Sequence, residues 1–425
     1  MQSFQSKRRR RFYRNSKLHT SNSKLTTKKN MNRNINLLRK TASSALIRLI
    51  LQPMKLKKIV PNRVLFSAYM EKQYACNPKY ICRELLRLYP GRVEVGWAFR
   101  EPENFRCLEK EGIRVLGTKT KEFIDFAMTS RVICANTYFK PSLPRRRGTF
   151  YLYTWHGGGA YKKVGKYVDM PLIERINTRM REGKTDLYLS SGRFFTEHVL
   201  RDSFSYRGEI LEKGMPRNDI LLNLPPQEEI KRLREKIGLK EGERLCLYAP
   251  TYRKDTKVHD FGLDYPRALR ALTERFGGQW VMGFRSHHVS MFKDTSQVSR
   301  GALDLSRYDD MQELLLISDM LITDYSSSIW DAALGDKRAL LYAPDLNDYE
   351  KERAFYTDIR TWPFPLAEDN DALEKNIRCF DEASYALAVK KHLEELGSCE
   401  TGRAAHFAAK RIAQEMGLED AHDDQ

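Results

Sequence analysis

A histidine followed by three glycines is the segment of this sequence best suited to chemistry. His156 and Gly157–Gly159 come directly after the apolar run Phe150–Thr154, which is typical of a strand. A histidine with an ordinary pKa near 6.5 can take a proton from an attacking hydroxyl at neutral pH. Consecutive glycines let backbone N–H groups approach a ligand closely. The pattern favours a general base beside a ligand-binding loop; the alternative is a tight turn with a structural histidine.

Two further segments place cations near this loop. Lys162 and Lys163 follow the glycines, and we interpret them either as contacts to an anionic acceptor or as part of a solvated basic loop. Arg217 lies in the turn Gly214–Asp219, ahead of a short predicted helix. An arginine held in such a turn can bind a phosphate through two N–H groups. The alternative for Arg217 is a structural ion pair.

The second half of the chain has polar side chains after several predicted strands. Because ligands of open α/β sheets bind at the carboxyl ends of the strands, these side chains are expected along one edge of one sheet. They are Thr251, Arg285, His287, Ser326 and Ser327, and the serines lie at the start of a predicted helix. A helix start offers N–H groups and a positive dipole end to an anion. The convergence predicts a diphosphate site, although His287 and His288 can also be read as a core and a surface residue.

The sequence predicts neither a metal nor a cofactor. No group of Asp, His or Cys has metal-ligand spacing, and arginine, histidine and helix ends can neutralise a pyrophosphate without a divalent cation. The absence of GxxxxGK[ST] and GxGxxG phosphate loops argues against an ATPase or a dinucleotide enzyme. Seven scattered cysteines indicate reduced thiols in a cytoplasmic protein. We expect no transmembrane helix and no signal peptide.

The elements that position these residues alternate along the chain after Pro61. Such alternation indicates right-handed βαβ units and parallel sheets covered on both faces. Strands are predicted at Arg63–Ser67, Val93–Ala98, Arg114–Leu116, Arg131–Ala135, Phe150–Thr154, Leu187–Leu189, Leu245–Ala249, Trp280–Arg285, Leu321–Thr323 and Ala339–Tyr342. Helices are predicted at Lys79–Leu88, Asn104–Glu111, Lys121–Met128, Leu172–Arg181, Phe194–Leu200, Tyr265–Phe276, Met311–Ile317 and Ser328–Leu334. The expected fold class is α/β, with two Rossmann-like doubly wound lobes that face each other across a cleft.

The domain prediction follows from breaks in this pattern. The polar, proline-bearing stretch Asn223–Gln227 is interpreted as a hinge between the lobes. The expected domains are a basic N-terminal extension at 1–60, a first lobe at 61–222 and a second lobe with C-terminal helices at 228–425. Those helices, predicted at Ala372–Phe380, Tyr385–Leu396 and Arg403–Met416, either close the second lobe or cross back to the first.

The positive charge of the protein is concentrated in the N-terminal extension. The 425 residues include 74 Lys and Arg and 55 Asp and Glu, for a formal net charge of +19. Residues 1–60 hold 17 of the basic residues and no acidic one, so the remaining chain is nearly neutral. This excludes a protein that is basic over its whole surface, such as a ribosomal protein.

The extension itself predicts contact with a membrane. Residues 2–36 are rich in Arg, Lys, Ser, Asn and Thr, and we expect them to be disordered. Apolar positions then recur at helical spacing from Leu37 to Lys58, among basic residues. A basic amphipathic helix fits an anionic membrane surface. The alternative is a solvated tail that leads into a helix packed on the body; nucleic acid is not the expected partner.

Six ordered motifs resemble those of the CDP-glycerol glycerophosphotransferases, which prime or polymerise teichoic acids and related capsule polymers. The motifs are Asn77–Tyr80, Trp155–Gly157 with Lys162–Lys163, Met215–Asp219, Tyr248–Arg253, Arg285–His287 and Asp324–Ser327, and the likeness continues through Leu341–Asp345 and Phe355–Tyr356. The resemblance implies two Rossmann-like lobes of the GT-B type. It also implies association with the cytoplasmic face of the cell membrane through the basic N-terminal surface.

The resemblance further implies transfer of glycerol phosphate from CDP-glycerol to a hydroxyl of a lipid-linked or capsular acceptor, with release of CMP. His156 then corresponds to the base that deprotonates the acceptor hydroxyl, and Lys162 and Lys163 lie on the acceptor side. The residues expected to contact the donor are Gly157, Gly158, Gly159, Arg217, Thr251, Tyr252, Arg285, Ser286, His287, Ser326, Ser327 and Asp331.

Two departures from the family pattern leave the acceptor and the polyol open. Gly158–Tyr161 stand before the lysines where the family has Thr-Pro-Leu, and His288 stands where a proline is common. The alternative function is therefore another GT-B transferase that uses CDP-ribitol or a nucleotide sugar. A basic-tailed scaffold without enzymatic activity is the other alternative, and it predicts that His156→Ala leaves function unchanged.

Overall fold

The computed structural model of the protein describes residues 36–419, apart from 138, 141, 169–174, 177–182, 252–261 and 287–300. Several predictions therefore lie outside the described residues. They are the disordered tail, all but residues 175–176 of the helix Leu172–Arg181, and the side chains of Tyr252, Arg253, His287 and His288.

The first lobe is built on a parallel sheet of seven strands. The strands are β1 (Val60–Ser67), β2 (Glu94–Phe99), β3 (Ile113–Gly117), β4 (Ser130–Ala135), β5 (Phe150–Tyr153), β6 (Leu187–Ser190) and β7 (Glu209–Glu212). Their order is β3-β2-β1-β4-β5-β6-β7, so the direction of strand addition reverses between β1 and β4. This is the doubly wound arrangement, in which the crevice at the reversal receives ligands.

The second lobe repeats this plan with six parallel strands. They are β8 (Glu243–Ala249), β9 (Gln279–Phe284), β10 (Leu303–Asp304), β11 (Met320–Thr323), β12 (Arg338–Tyr342) and β13 (Leu366–Ala367). The order β10-β9-β8-β11-β12-β13 reverses between β8 and β11. The α/β class with two Rossmann-like lobes is thus confirmed, whereas the predicted domain bounds stay a prediction.

Helices cover both faces of the two sheets. The α-helices are α1 (36–50), α2 (Cys76–Leu88), α3 (Lys121–Thr129), α4 (Arg193–Phe195, continued as a π-helix at Thr196–Ser203), α5 (Asp219–Leu222), α6 (Gln227–Lys236), α7 (Tyr265–Phe276), α8 (Met311–Ile317), α9 (Ser328–Leu334), α10 (Leu346–Glu352), α11 (Asn370–Arg378), α12 (Glu382–Glu395) and α13 (Ala404–Glu415). Short 3₁₀-helices lie at Gln52–Leu56, Pro102–Glu111, Gly165–Tyr167, Pro216–Asn218 and Ile359–Thr361. None of the helices in the described residues is long and apolar enough to cross a membrane.

The last helix joins the two lobes, because it crosses back to the first one. Ala408, Ala409, Ile412 and Ala413 of α13 are buried in the same apolar core as β1, β4 and β5. Small side chains let α13 lie close to α2, which it packs against. Of the two placements that the sequence left open for the C-terminal helices, α13 takes the second, whereas Val389 and Leu396 at α12 join the second-lobe core.

A buried ion-pair cluster also connects the lobes. Lys79 on α2 lies 2.7 Å from the Oδ2 atom of Asp310, and its ammonium group also contacts Glu313. Asp310 is the N-cap of α8 and accepts a further hydrogen bond from the hydroxyl of Tyr80 at 3.0 Å. Burial lowers the pKa of Lys79, but the two carboxylates raise it more, so this lysine stays charged.

Candidate active site

A cavity of about 520 Å³ lies between the carboxyl ends of the two sheets. Loops after β1, β5, β8, β9 and β11 line it, so the reversal points of both sheets face one space. The cavity brings together most of the predicted site residues: His156, Gly157, Gly158, Lys162, Arg217, Thr251, Arg285, Ser286, Ser326, Ser327 and Asp331. Gly159 and Lys163 do not line it.

The hydrogen bond of His156 defines its tautomer. Nδ1 lies 2.9 Å from the carbonyl oxygen of Asn136, the residue that follows β4. A carbonyl oxygen only accepts hydrogen bonds, so Nδ1 carries the proton and Nε2 carries the lone pair. The ring is therefore oriented by the backbone with Nε2 as the atom that accepts a proton.

Aromatic rings enclose the imidazole of His156. The ring centroid of Trp155 lies 4.4 Å away, and Tyr69 meets the imidazole edge-on at 5.9 Å. Burial lowers the pKa of His156 from 6.5 to about 4; the bond to Asn136 raises it, and the charges of Arg217 and Lys162 lower it. The ring is neutral at pH 7, which is the form that a general base needs.

Asn77, at the start of α2, holds the His156 loop against the Arg217 turn. Its Nδ2 atom donates to the carbonyl oxygens of Thr154 and Trp155 at 3.2 and 3.1 Å, and its Oδ1 atom accepts from the backbone N–H of Arg217 at 3.1 Å. Trp155 has a φ of +55°. That left-handed conformation costs a non-glycine residue about 1–3 kcal/mol, and such strain persists only where neighbours hold it in place. Asn77 stabilises the strained backbone next to the base.

Two of the three glycines after His156 are required by packing between the lobes. An ideal Cβ on Gly158 would lie 2.6 Å from Cδ1 of Trp330, and one on Gly159 would lie 2.8 Å from Cε3 of the same indole. Trp330 is buried on α9 of the second lobe. The close approach that we predicted for a ligand is made at these two positions by a tryptophan. An ideal Cβ on Gly157 would lie 3.5 Å from Oγ of Ser327, so the His156 loop adjoins the serine turn.

Arg217 forms the structural ion pair that was one of its two interpretations. Its Nε and Nη2 atoms lie 3.0 and 2.9 Å from the two carboxylate oxygens of Asp331, to which Gln312 also donates at 2.9 Å. Arg217 and Asp331 are 2% and 3% exposed, so the pair is almost completely desolvated. Burial lowers the pKa of Arg217, but Asp331 raises it more. Both residues line the cavity while their charged groups bind each other.

Glu400, which precedes α13, holds the Arg217 turn from the other side. Its carboxylate accepts from the backbone N–H of Met215 at 2.9 Å and from Nδ2 of Asn218 at 3.0 Å. Burial raises the pKa of Glu400 to about 8, against the two hydrogen bonds, which lower it. Nothing in the local sequence indicated this role, because Glu400 is about 180 residues from the turn.

Thr251 is tied to the second sheet by Asp324. The backbone N–H of Thr251 donates to the two carboxylate oxygens of Asp324 at 2.9 and 3.0 Å, and its hydroxyl also contacts that carboxylate. Asp324 follows β11 and Thr251 follows β8, so this contact joins the carboxyl ends of neighbouring strands. The structure thus brings the ends of β8 and β11 together, as the sequence predicted.

Arg285 and Ser286 present polar atoms at the same edge. Nη2 of Arg285 donates to the carbonyl oxygens of Tyr308 and Asp309 at 3.0 and 3.1 Å. Nε of Arg285 and Oγ of Ser286 are buried and have no hydrogen-bond partner within the part of the chain that the structure describes. Because buried polar atoms are nearly always paired, these two atoms beside the cavity are candidates for binding a ligand. In the serine turn, Ser326 Oγ accepts from the N–H and hydroxyl of Ser328 at 3.2 and 2.9 Å.

A short antiparallel ladder closes one side of the cavity. Residues 161–163 of the first lobe pair with residues 354–356 of the second: Lys163 N–H donates to the Ala354 carbonyl at 2.9 Å, and Tyr356 N–H donates to the Tyr161 carbonyl at 3.0 Å. We call this the interlobe ladder. Lys162 faces the cavity, whereas Nζ of Lys163 lies 5.1 Å over the ring of Tyr167. The two lysines, which sequence reasoning treated alike, are therefore separated.

Sequence reasoning missed several residues of the cavity, among them three with polar side chains. Tyr69, Gln312 and Arg353 line it, but they lie outside the strand-end motifs. Tyr69 is two residues after β1, so the rule that parallel sheets bind ligands at strand ends would have found it. No group of three or more His, Cys, Asp or Glu side chains among the described residues is arranged to hold a metal ion.

The arrangement pairs a neutral base on one lobe with anion-binding groups on the other. Such a cavity suits attack by a hydroxyl on phosphorus, because phosphoryl transfer depends on positioning and charge stabilisation more than on covalent catalysis.

Comparison with known proteins agrees with this chemistry. A family model described as CDP-glycerol:poly(glycerophosphate) glycerophosphotransferase matches residues 50–414. The teichoic acid poly(glycerol phosphate) polymerase of Bacillus subtilis strain 168 is 27% identical over 366 residues, which are 83% of this chain and 48% of that protein. This chain therefore spans about half the length of that polymerase. The teichoic acid glycerol-phosphate transferase of Staphylococcus aureus strain NCTC 8325 / PS 47 is 26% identical over 378 residues, which cover 84% of this chain and 95% of that one.

A solved structure has the same fold over most of its length. It is a histidine-to-asparagine variant of the wall teichoic acid polymerase TagF, soaked with CDPG. The two chains are 26% identical, with a TM-score of 0.76, and the match covers 90% of this chain and 98% of that chain.

Proposed function

The chain belongs to the family of CDP-glycerol:poly(glycerophosphate) glycerophosphotransferases, and on that premise we propose that it transfers glycerol phosphate from CDP-glycerol to a hydroxyl of a lipid-linked or glycan acceptor. CMP is the second product, and the reaction belongs to the synthesis of a teichoic acid or capsule-type polymer. One observation carries the proposal: His156, Ser327 and Arg285 line the same cavity, and Gly157, the residue after His156, adjoins the hydroxyl of Ser327.

The mechanism begins with proton transfer to His156. Nε2 takes the proton of the acceptor hydroxyl, and the carbonyl of Asn136 stabilises the imidazolium through Nδ1–H. The acceptor oxygen attacks the phosphorus that carries glycerol. A new P–O bond forms, and the P–O bond to CMP breaks, with the bridging oxygen leaving on CMP.

The second lobe binds the diphosphate of the donor in this proposal. Nε of Arg285 and the hydroxyl of Ser286 have unmet hydrogen-bonding capacity among the described residues, and Ser326 and Ser327 add hydroxyls at the edge nearest His156. These groups stabilise the charge that develops on the transferred phosphoryl group and on CMP. The proposal includes independence from a divalent cation, since the protein supplies this charge stabilisation.

CMP release tests the reaction. Purified protein is incubated with CDP-glycerol and a lipid-linked acceptor, with and without EDTA, and wild type is compared with His156→Ala. We expect release that survives EDTA and falls by at least about 100-fold in the variant, as is typical for loss of a general base. His406→Ala is the matched control, because His406 pairs with Glu84 away from the cavity. Release only from CDP-ribitol or a nucleotide sugar would assign the protein to the alternative transferase class.

We further propose that the N-terminal region binds the cytoplasmic face of the membrane. Leu46, Leu49 and Ile50 on α1 are 59%, 68% and 65% exposed, and Leu56 beyond it is 90% exposed. A basic cavity lined by Lys55, Arg131, Arg145, Arg146 and Arg147 lies beside this segment, at the edge of the first sheet opposite the active site. Exposed apolar side chains next to cations match an anionic bilayer surface.

Vesicle binding tests this localisation. The triple variant Leu49→Ser, Ile50→Ser, Leu56→Ser is expected to bind vesicles containing phosphatidylglycerol at least about tenfold more weakly than wild type, while turnover of a soluble acceptor analogue is unchanged. The control is Leu387→Ser, which changes a 70% exposed leucine on α12 of the second lobe. Equal binding by the triple variant and the control would contradict the proposal.

A further inference from the structure

Arg353 is a cation of the cavity that the proposed reaction does not yet use. It follows α10, and its backbone N–H donates to the carbonyl of Tyr349 at 2.7 Å. The next three residues, 354–356, form the second-lobe strand of the interlobe ladder. The backbone of Arg353 is therefore held on both sides, while its half-buried side chain lines the cavity.

The three arginines that line the cavity differ in their partners. Arg217 binds Asp331 through two atoms, and Arg285 donates to two carbonyl oxygens. The side chain of Arg353 forms no hydrogen bond or ion pair within the described part of the chain. An unpaired guanidinium that is partly withdrawn from water favours a ligand with two adjacent anionic oxygens, such as a phosphate.

The ladder joins the segment after Arg353 to the loop that carries the base. The loop that carries His156 continues directly into residues 161–163, which are bonded to the segment after Arg353. The base must contact the acceptor hydroxyl, whereas the donor diphosphate is assigned to Arg285 and the serine turn. Lys162, which also lines the cavity, lies opposite Phe355 in the ladder, two residues beyond Arg353.

We propose that Arg353, together with Lys162, binds a phosphate group of the acceptor and makes the enzyme prefer an acceptor that already carries polyol phosphate over a neutral glycan. The proposal rests on the proposed function, because it assigns the acceptor side by the position of the base. Arg353 is then a specificity-determining residue that contacts substrate away from the reacting atoms.

Acceptor kinetics test this role. Two synthetic lipid-linked acceptors are compared at saturating CDP-glycerol: one ends in glycerol phosphate, and the other presents the same terminal hydroxyl without a phosphate. Arg353→Ala is expected to lower kcat/KM for the phosphate-bearing acceptor about 10- to 100-fold, the usual effect of losing a charged hydrogen-bonding group. The neutral acceptor and the KM for CDP-glycerol are expected to change less than about twofold. Arg353→Lys should restore part of the loss, since it keeps the charge.

The control is Lys351→Ala, which removes an exposed lysine that pairs with Asp348 on the same helix. It is expected to leave both acceptors unaffected. An equal loss for both acceptors in Arg353→Ala would overturn the proposal in favour of a structural role, and a selective rise in the KM for CDP-glycerol would overturn it in favour of donor binding.

A binding measurement separates this proposal from the reaction itself. Wild type and Arg353→Ala are titrated with a short soluble glycerol-phosphate oligomer without any donor, and binding is followed by calorimetry. Weaker binding by the variant supports the phosphate contact even if wild type releases no CMP from CDP-glycerol, a result that would refute the proposed function alone. Equal binding by both proteins would overturn the assignment of Arg353.

Discussion

The protonation of His156 gives the sharpest test of the site. If this residue is the base, its imidazole must be neutral and must carry its proton on Nδ1, where the carbonyl of Asn136 lies 2.9 Å away. Its pKa is lowered to about 4, chiefly by burial. A decrease in pH from 7 to 5.5 tests the lowered pKa.

The expected effect is small because the pKa lies well below this range. With a pKa of about 4, roughly 97% of His156 is still neutral at pH 5.5, whereas with the ordinary value of 6.5 only about 9% would be. Loss of the neutral base lowers the rate, so kcat/KM for the acceptor should fall less than about 1.1-fold between pH 7 and 5.5. An unperturbed histidine would give a fall of about eightfold.

The assay reads the imidazole directly, so that other titrating groups near the cavity do not obscure it. Protein labelled with ¹⁵N-histidine is titrated while its ring nitrogens are observed by NMR, and the signals missing from His156→Asn identify the residue. Lys162→Met should raise the pKa of His156, because the lysine charge lowers it, whereas Lys163→Met should leave it unchanged. Lys163 is the matched control, since its side chain does not line the cavity.

Two outcomes would refute the reasoning. A midpoint near 6.5 would mean that the aromatic enclosure of Trp155 and Tyr69 does not desolvate the ring. A proton on Nε2 in the neutral ring would mean that the bond to Asn136 does not set the tautomer, and His156 would then have no lone pair at the atom assigned to the base.

Three further predictions concern the groups that hold the site together. Lys79→Met leaves the carboxylate of Asp310 buried without its cation, so we expect a loss of about 3–5 kcal/mol in the free energy of unfolding, measured by urea titration, and a smaller loss when Asp310→Asn is added. Asn77→Asp keeps the acceptor for Arg217 N–H but cannot donate to the Trp155 carbonyl. We expect kcat to fall about tenfold or more, with little change in the KM for CDP-glycerol. An unchanged kcat would contradict the positioning role of Asn77. The pKa of Glu400 is raised to about 8 in the folded protein, so the unfolded protein loses this proton at a lower pH and stability falls as pH rises. The Tm of wild type should therefore fall between pH 6 and 9, and the Tm of Glu400→Gln should fall less.

Much of the fold was predictable because its strands are buried on both faces. A buried parallel strand such as Leu245–Ala249 is an uninterrupted apolar run, so its position shows in the sequence. The bounds of α7 matched the prediction because Asp264 caps the helix, accepting from Arg267 N–H at 3.0 Å, and glycine follows its end.

Several of the elements that prediction missed bury little. β7, at the edge of the first sheet, has two exposed and two half-buried residues, and β13 is only two residues long, so neither leaves an apolar signal. The predicted helix at Asn104–Glu111 is a 3₁₀-helix that starts at Pro102. Helical spacing does not distinguish the two types over so short a segment.

The strand-end residues of the site were predictable for a topological reason, and their partners were not. Parallel strands bring Thr251 and Ser326 to one edge whatever their separation in sequence. The contacts of Arg217 with Asp331, and of Gly158 with Trp330, instead join residues more than 100 positions apart on different lobes. No local pattern specifies such pairs, because they depend on how two separately folded sheets face each other.

The three arginines of the cavity differ in contacts that the sequence does not specify, and these contacts bear on their function. From the sequence, Arg217 could be a phosphate ligand or part of an ion pair, Arg285 was assigned to the donor, and Arg353 was not considered. The charge of Arg217 is balanced by Asp331 in a nearly water-free pair, so this residue supports the joint between the lobes more than it attracts a ligand. Among the described residues, Nε of Arg285 and the guanidinium of Arg353 have no hydrogen-bond partner, and both arginines line the cavity. In the reaction that we propose, Arg285 binds the donor and Arg353 the acceptor, and neither pairs with a carboxylate within the described residues.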